Sequence, residues 1–135
     1  MSDFRNSEGY PDPTSYKATR GNRISFMPLV YICSPLAGDV DGSMEMAKRY
    51  SRFALDQGRI PLAPQLMFSQ FMDSAEPEDR ELELFMDIVL LGKCSELWVF
   101  GEIITEGMYT VMEVAKRRRQ PVRYFRSNLQ EVTGK

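Results

Sequence analysis

The sequence predicts a doubly wound α/β domain, a parallel sheet with helices on both faces. Three observations carry that prediction. Short apolar runs rich in β-branched and aromatic residues begin at Leu29, Ile60, Leu97 and Pro121, and segments with helical spacing separate them. The order strand, helix, strand, helix, strand, helix, strand is the pattern that parallel strands with crossover helices require. The first run is apolar throughout, as in a strand buried on both faces. With 135 residues, 43% of them hydrophobic, the chain suits one domain with one real core.

Residues 1–27 read as an extension, with Gly9, Pro11, Pro13 and Gly21 and little periodicity. Asp12-Pro13-Thr14 offers a helix start, and Tyr10 and Tyr16 offer contacts to the body or to a partner subunit; a flexible tail is the equal alternative. The domain proper spans 28–126. Leu29-Val30-Tyr31-Ile32-Cys33 is the first strand, stopped by Ser34-Pro35. A helix follows, capped by Asp41 or Ser43, with Met46, Ala47, Tyr50, Phe53 and Ala54 on its apolar face and Gly58 at the C-cap. Ile60-Pro61-Leu62-Ala63-Pro64 is a short strand whose prolines confine it to an edge.

Gln65 to Asp73 is a connection with partial helical character. Glu76-Pro77-Glu78-Asp79 then starts a helix, with proline in the first turn and acids at the positive end of the dipole. Leu82, Phe85, Ile88, Val89 and Leu91 or Gly92 form its expected buried stripe. Leu97-Trp98-Val99-Phe100 is the third strand, ended by Gly101, and a helix runs from about Glu106 to Arg118. Lys116 to Arg119 complement the negative end of that helix, a structural role preferred to a nucleic-acid patch. Pro121 to Phe125 is the last clear strand, and 127–135 is a polar tail.

Composition narrows the chemistry. The chain has no histidine, which excludes Ser-His-Asp and Cys-His catalysis and every histidine-containing zinc site. A net charge of −2 argues against a nucleic-acid or membrane-surface partner. Cys33 and Cys94 are too few for an all-cysteine zinc site, so no metal is expected, and they read as buried free thiols in a reducing compartment in preference to a disulfide; with a polar N-terminus that lacks a signal peptide's apolar core, the expected location is cytoplasmic. No apolar run reaches the ~20 residues of a membrane span. Carboxylates, hydroxyls, backbone amides and lysine remain.

In a doubly wound sheet the ligand lies outside the carboxyl ends of the strands. The qualifying loops are Ser34 to Asp41, Pro64 to Phe68 and Gly101 to Met108. The loop Ser34-Pro35-Leu36-Ala37-Gly38-Asp39 precedes a helix, and its non-proline residues offer backbone N–H groups to a phosphate or sugar hydroxyl, although an ordinary strand-to-helix turn explains it as well. Thr105-Glu106-Gly107-Met108 opens a helix, and Glu106 reads either as a dipole-complementing carboxylate or as a ligand for a sugar hydroxyl. Trp98 and Phe100 read as core.

These segments carry a resemblance. Val30 to Pro35 with Gly38-Asp39, then Ile60 to Pro64, Glu96 to Gly101, and Thr105 to Met108 with Ala115 resemble the DUF4406-type proteins, which are similar to nucleoside 2-deoxyribosyltransferases and nucleotide N-hydrolases and frequent in phages. The resemblance spans residues 29 to 125. It implies a flavodoxin-like, three-layer αβα sheet of four to five strands, a nucleoside or nucleotide pocket, no cofactor, and a homo-oligomer. It also implies a glutamate nucleophile early in the last helix, assisted by a second acid.

The sequence departs from that pattern at its chemical positions. S-E-G-M-x-x-E-I reads here Thr105-Glu106-Gly107-Met108-Tyr109-Thr110-Val111-Met112, so Val111 stands at the nucleophile. Glu113 lies two positions on, rotated about 200° around the helix. Ser95 replaces an expected aspartate, Gln65 a histidine, and Ser43 an asparagine. The resulting expectation is binding of a nucleoside, nucleotide or ADP-ribose-type molecule by Ser34, Pro35, Gly38, Asp39, Gln65, Gly101, Thr105, Glu106, Gly107 and Met108, with sequestration of a nucleotide signal as one purpose and N-glycosidase chemistry reduced or lost. The alternatives are an active N-glycosidase or deoxyribosyltransferase using Glu106 or Glu113, and a protein-interaction module built on Leu66 to Met72.

Overall fold

A computed structural model of the chain describes residues 26–36 and 40–133. Its strands are β1 (Leu29–Cys33), β2 (Ile60–Leu62), β3 (Glu96–Phe100), β4 (Val122–Phe125) and β5 (Glu131–Val132). Its helices are α1 (Val40–Asp56), α2 (Pro64–Phe68), α3 (Pro77–Leu91) and α4 (Glu106–Arg117). The strands form one sheet in the order β2-β1-β3-β4-β5. The first three pairings are parallel, and β5 returns antiparallel to β4 after a turn beyond Arg126. This is the expected mixed α/β architecture, a mostly parallel sheet between helical layers.

The strands are buried on both faces because their side chains alternate between two cores. Tyr31, Cys33, Leu97 and Val99 face α3 and α4, where Leu91, Met108, Val111, Met112 and Ala115 complete the packing. Val30, Ile32, Trp98, Phe100 and Phe125 face α1, against Tyr50 and Ala54. The second core is aromatic. Tyr50 stacks on Phe100 with centroids 4.4 Å apart, and Phe100 on Phe125 at 4.8 Å. Trp98 and Phe100 are fully buried there, so neither is a surface for a ligand base. Arg123 lies over the Trp98 ring at 4.7 Å and pairs with Glu131, which fastens β5 to the sheet.

Local chemistry explains the ends of the elements. The edge position of β2 suits its prolines. Gly58 takes φ +82° behind α1, the left-handed conformation that glycine adopts without strain. Neither Asp41 nor Ser43 caps α1, because the helix already begins at Val40 and both lie in its first turn. Pro77 opens α3 behind Glu76, and the Thr105 hydroxyl caps α4 by accepting from the Met108 amide at 3.3 Å. The basic run ends α4: Lys116 and Arg117 lie in its last turn, and Arg118 donates to the Ile88 carbonyl at 3.4 Å. The helix start at Asp12, the contacts of Tyr10 and Tyr16, and the Gly38-Asp39 turn lie outside the described residues.

The α3 stripe differs from expectation. Ile88 and Leu91 reach the core as expected, but Leu82, Phe85 and Val89 are 50%, 64% and 46% exposed and Leu84 packs inward in their place. The helix carries two apolar stripes, and contact with α4 decides which one turns inward. The next face round, with Arg80, Glu83 and Asp87, then points along the sheet towards the end of β1.

Candidate functional site

The chain runs from β1 outward to β2 and then crosses to β3 on the other side of β1. Strand order therefore reverses between β1 and β3, and the crevice at their carboxyl ends is where a doubly wound sheet places its ligand. A cavity of about 680 Å³ opens there. Its floor is the end of β1, from Tyr31 to Ser34. One wall is α3, with Arg80, Glu83, Leu84 and Asp87; the other is the first turn of α4, with Thr105, Glu106, Gly107 and Met108, followed by Thr110 and Val111. Pro64 and Gln65 close the β2 side. The volume suits a small organic molecule, which typically occupies ~300–1,000 Å³.

Most of the proposed ligand residues meet in this cavity. Ser34 is buried, and its hydroxyl accepts from Gln65 Nε2 at 3.0 Å, which ties the β1 and β2 loops together. Thr105, Glu106, Gly107 and Met108 line the opposite side. Pro35 instead packs towards Gly101, where an added Cβ would lie 3.4 Å from the proline Cδ. Gly101, at φ +97°, borders a separate hollow with Val99, Ile104 and Tyr124. Glu113 does not line the cavity, in keeping with its rotation round the helix, whereas Val111 does.

The group that sequence reasoning missed is Asp87. Burial pushes its carboxyl up to about 7, the nearby Glu83 charge adds to the rise, and the Tyr31 hydroxyl offsets part of it. Its Oδ1 is buried without a hydrogen-bond partner among the described residues. Glu83 is raised as well, chiefly by burial, although Ser74 Oγ donates to its Oε1 at 3.3 Å. Tyr31 is raised in turn by burial and by the Asp87 charge. The available signal was Arg80, Glu83 and Asp87 at helical spacing on one face of α3, beside the inward-facing Leu84.

The cavity can therefore exchange a proton near neutral pH without histidine. Thiolate chemistry is closed to it: both cysteines are buried and free, and burial pushes Cys33 up to about 12 and Cys94 to about 11. Among the described residues no cluster of acids and thiols has the arrangement to hold a metal ion. None of their helices is long and apolar enough to cross a membrane. Charge in the cavity is one-sided, with Glu81, Glu83, Asp87 and Glu106 against Arg80.

No curated protein and no solved structure matches the chain. One family does match, a domain of unknown function (DUF7768), over residues 28–125. That match overturns the DUF4406-type and deoxyribosyltransferase resemblance, whose short segments follow from strand ends and helix starts that many doubly wound sheets share. The matched residues take in every strand from β1 to β4 and the whole cavity, and the chain belongs to the DUF7768 family.

Proposed function

We propose that the cavity binds an uncharged nucleoside-type molecule, a heterocyclic base joined to a sugar, and that Asp87 exchanges a proton with it. The observation that carries this reading is the buried Asp87 carboxyl, its Oδ1 without a partner among the described residues, raised to about 7 in a cavity of about 680 Å³ at the switch point of the sheet. A buried polar atom left unpaired costs stability, and a bound donor or acceptor recovers it. Leu36, Leu84, Met108 and Val111 supply apolar walls for a flat ring, and Ser34, Gln65, Thr105 and Thr110 supply hydrogen-bonding groups.

Charge refines the ligand class. Glu81, Glu83 and Glu106 repel a multiply phosphorylated nucleotide, and Arg80, whose guanidinium already donates to the Ser74 carbonyl, offers one counter-charge. A neutral nucleoside thus fits better than a dinucleotide or an ADP-ribose-type molecule. Isothermal titration of the full chain with adenosine, cytidine, AMP and ADP-ribose tests this. The expected result is nucleoside binding that AMP matches poorly and that Asp87→Asn weakens. Absence of binding to all four at millimolar concentration overturns the reading.

The Asp87 titration favours one second reading, hydrolysis of the glycosidic bond. A carboxyl raised to about 7 can protonate the departing base nitrogen, while a second carboxylate, Glu106, takes the proton of the water that attacks the anomeric carbon. Free base released from a nucleoside panel, and lost in both Asp87→Asn and Glu106→Gln, would establish it. Binding without release leaves the first reading standing alone.

A further inference from the structure

We propose that the outer face of α3 is a homodimer interface, on which a second copy of the chain packs its own α3 antiparallel across a two-fold axis between Phe85 and Met86. Leu82, Phe85 and Val89 stand at helical spacing on the side turned away from the core and are about half exposed or more. Isolated exposed apolar residues are ordinary; a continuous stripe over two turns of a helix is a contact surface.

The occupant follows from the order of residues along that stripe. Glu78, Leu82, Phe85, Met86 and Val89 lie on it, Lys93 stands in the turn just past the helix end at Leu91, and the six pair by sequence position about one midpoint. In an antiparallel pair related by a two-fold axis, each residue meets the one equally distant from the midpoint on the other copy. Leu82 then meets Val89 of the second copy, Phe85 meets Met86, and Glu78 meets Lys93. The apolar pairs are central and the charged pairs lie at the ends, the arrangement of a core with a polar rim.

Glu78 and Lys93 are both exposed and make no ion pair among the described residues, so each is available to the other copy. A parallel arrangement would set Glu78 against Glu78, and an unrelated partner would have no need of this symmetry. The adjacent face of the helix forms the cavity wall through Glu83 and Asp87, so the interface would brace the wall without depending on what the cavity binds.

Sedimentation equilibrium of the full-length protein up to about 100 μM, a range that captures micromolar association, tests the proposal. The wild type is expected to be dimeric, and Phe85→Glu monomeric with an unchanged far-ultraviolet spectrum. Glu78→Lys and Lys93→Glu are each expected to weaken the dimer about 10-fold, because each converts both symmetry-related pairs to like charges. The double variant Glu78→Lys with Lys93→Glu restores opposite charges and is expected to return to within about 3-fold of wild type. A monomeric wild type, as when residues 1–25 of the same chain cover the stripe, overturns the proposal. So does a dimer that survives Phe85→Glu, or a double variant weaker than either single one.

Discussion

Replacing Asp87 by asparagine keeps the shape of the side chain and removes its titration. The carboxyl titrates near 3.8 when unfolded and at about 7 when folded, chiefly because burial disfavours its charge. At 1.36 kcal/mol per pH unit that gap is about 4 kcal/mol, and water at the cavity mouth reduces it to about 2 kcal/mol. The folded state holds this proton more tightly than the unfolded state does. Its stabilising effect is complete below about pH 4, is lost as pH rises to 7, and stays lost above. Asp87→Asn should therefore be more stable than wild type at pH 8 by about 2 kcal/mol, or about 8 °C in melting temperature for a domain of this size. Near pH 4 the difference should vanish. Thermal melts followed by circular dichroism at both pH values measure it. A melting difference that is the same at pH 4 and pH 8 would refute the assignment of a raised carboxyl at this position.

Three further outcomes follow from the same geometry. Gly101→Ala forces a side chain into φ +97° beside Pro35 and should lower stability by about 1–2 kcal/mol, read as a fall in the urea midpoint without change in slope. Thr105→Ala removes the cap of α4 and should cost about 1 kcal/mol, while Thr105→Ser should recover most of it in the same titration. A thiol-reactive dye at pH 8 should leave Cys33 and Cys94 untouched in the native protein and label both after denaturation; rapid native labelling would show that at least one of them is not buried.

Where one residue pattern admits one arrangement, the sequence was read correctly. Leu29 to Cys33 is apolar at every position, so it had to be a strand buried on both faces, and its observed limits are those expected. Pro61 and Pro64 forbade a central strand, and β2 lies at the sheet edge. The Thr105 to Met108 helix start was legible because a strand ending in glycine must be followed by a loop at the carboxyl edge, where ligands sit. The family resemblance failed for a related reason. Short stretches at strand ends are set by the fold, so they recur across families that share no function.

Asp87 was illegible because α3 is apolar on two sides. Leu82, Phe85 and Val89 form one stripe and Leu84, Ile88 and Leu91 another, and periodicity alone cannot rank them. Choosing the first turns Asp87 towards solvent, where an aspartate needs no explanation. Packing of α3 against α4 and the sheet selects the second, and that rotation does two things at once. It brings Glu83 and Asp87 over the end of β1, where burial raises both carboxyls. It also leaves the other stripe uncovered, with Glu78 and Lys93 at equal distances from its centre. The ambiguity that hid Asp87 is thus the same property that gives α3 two distinct faces, one lining the cavity and one apolar and uncovered.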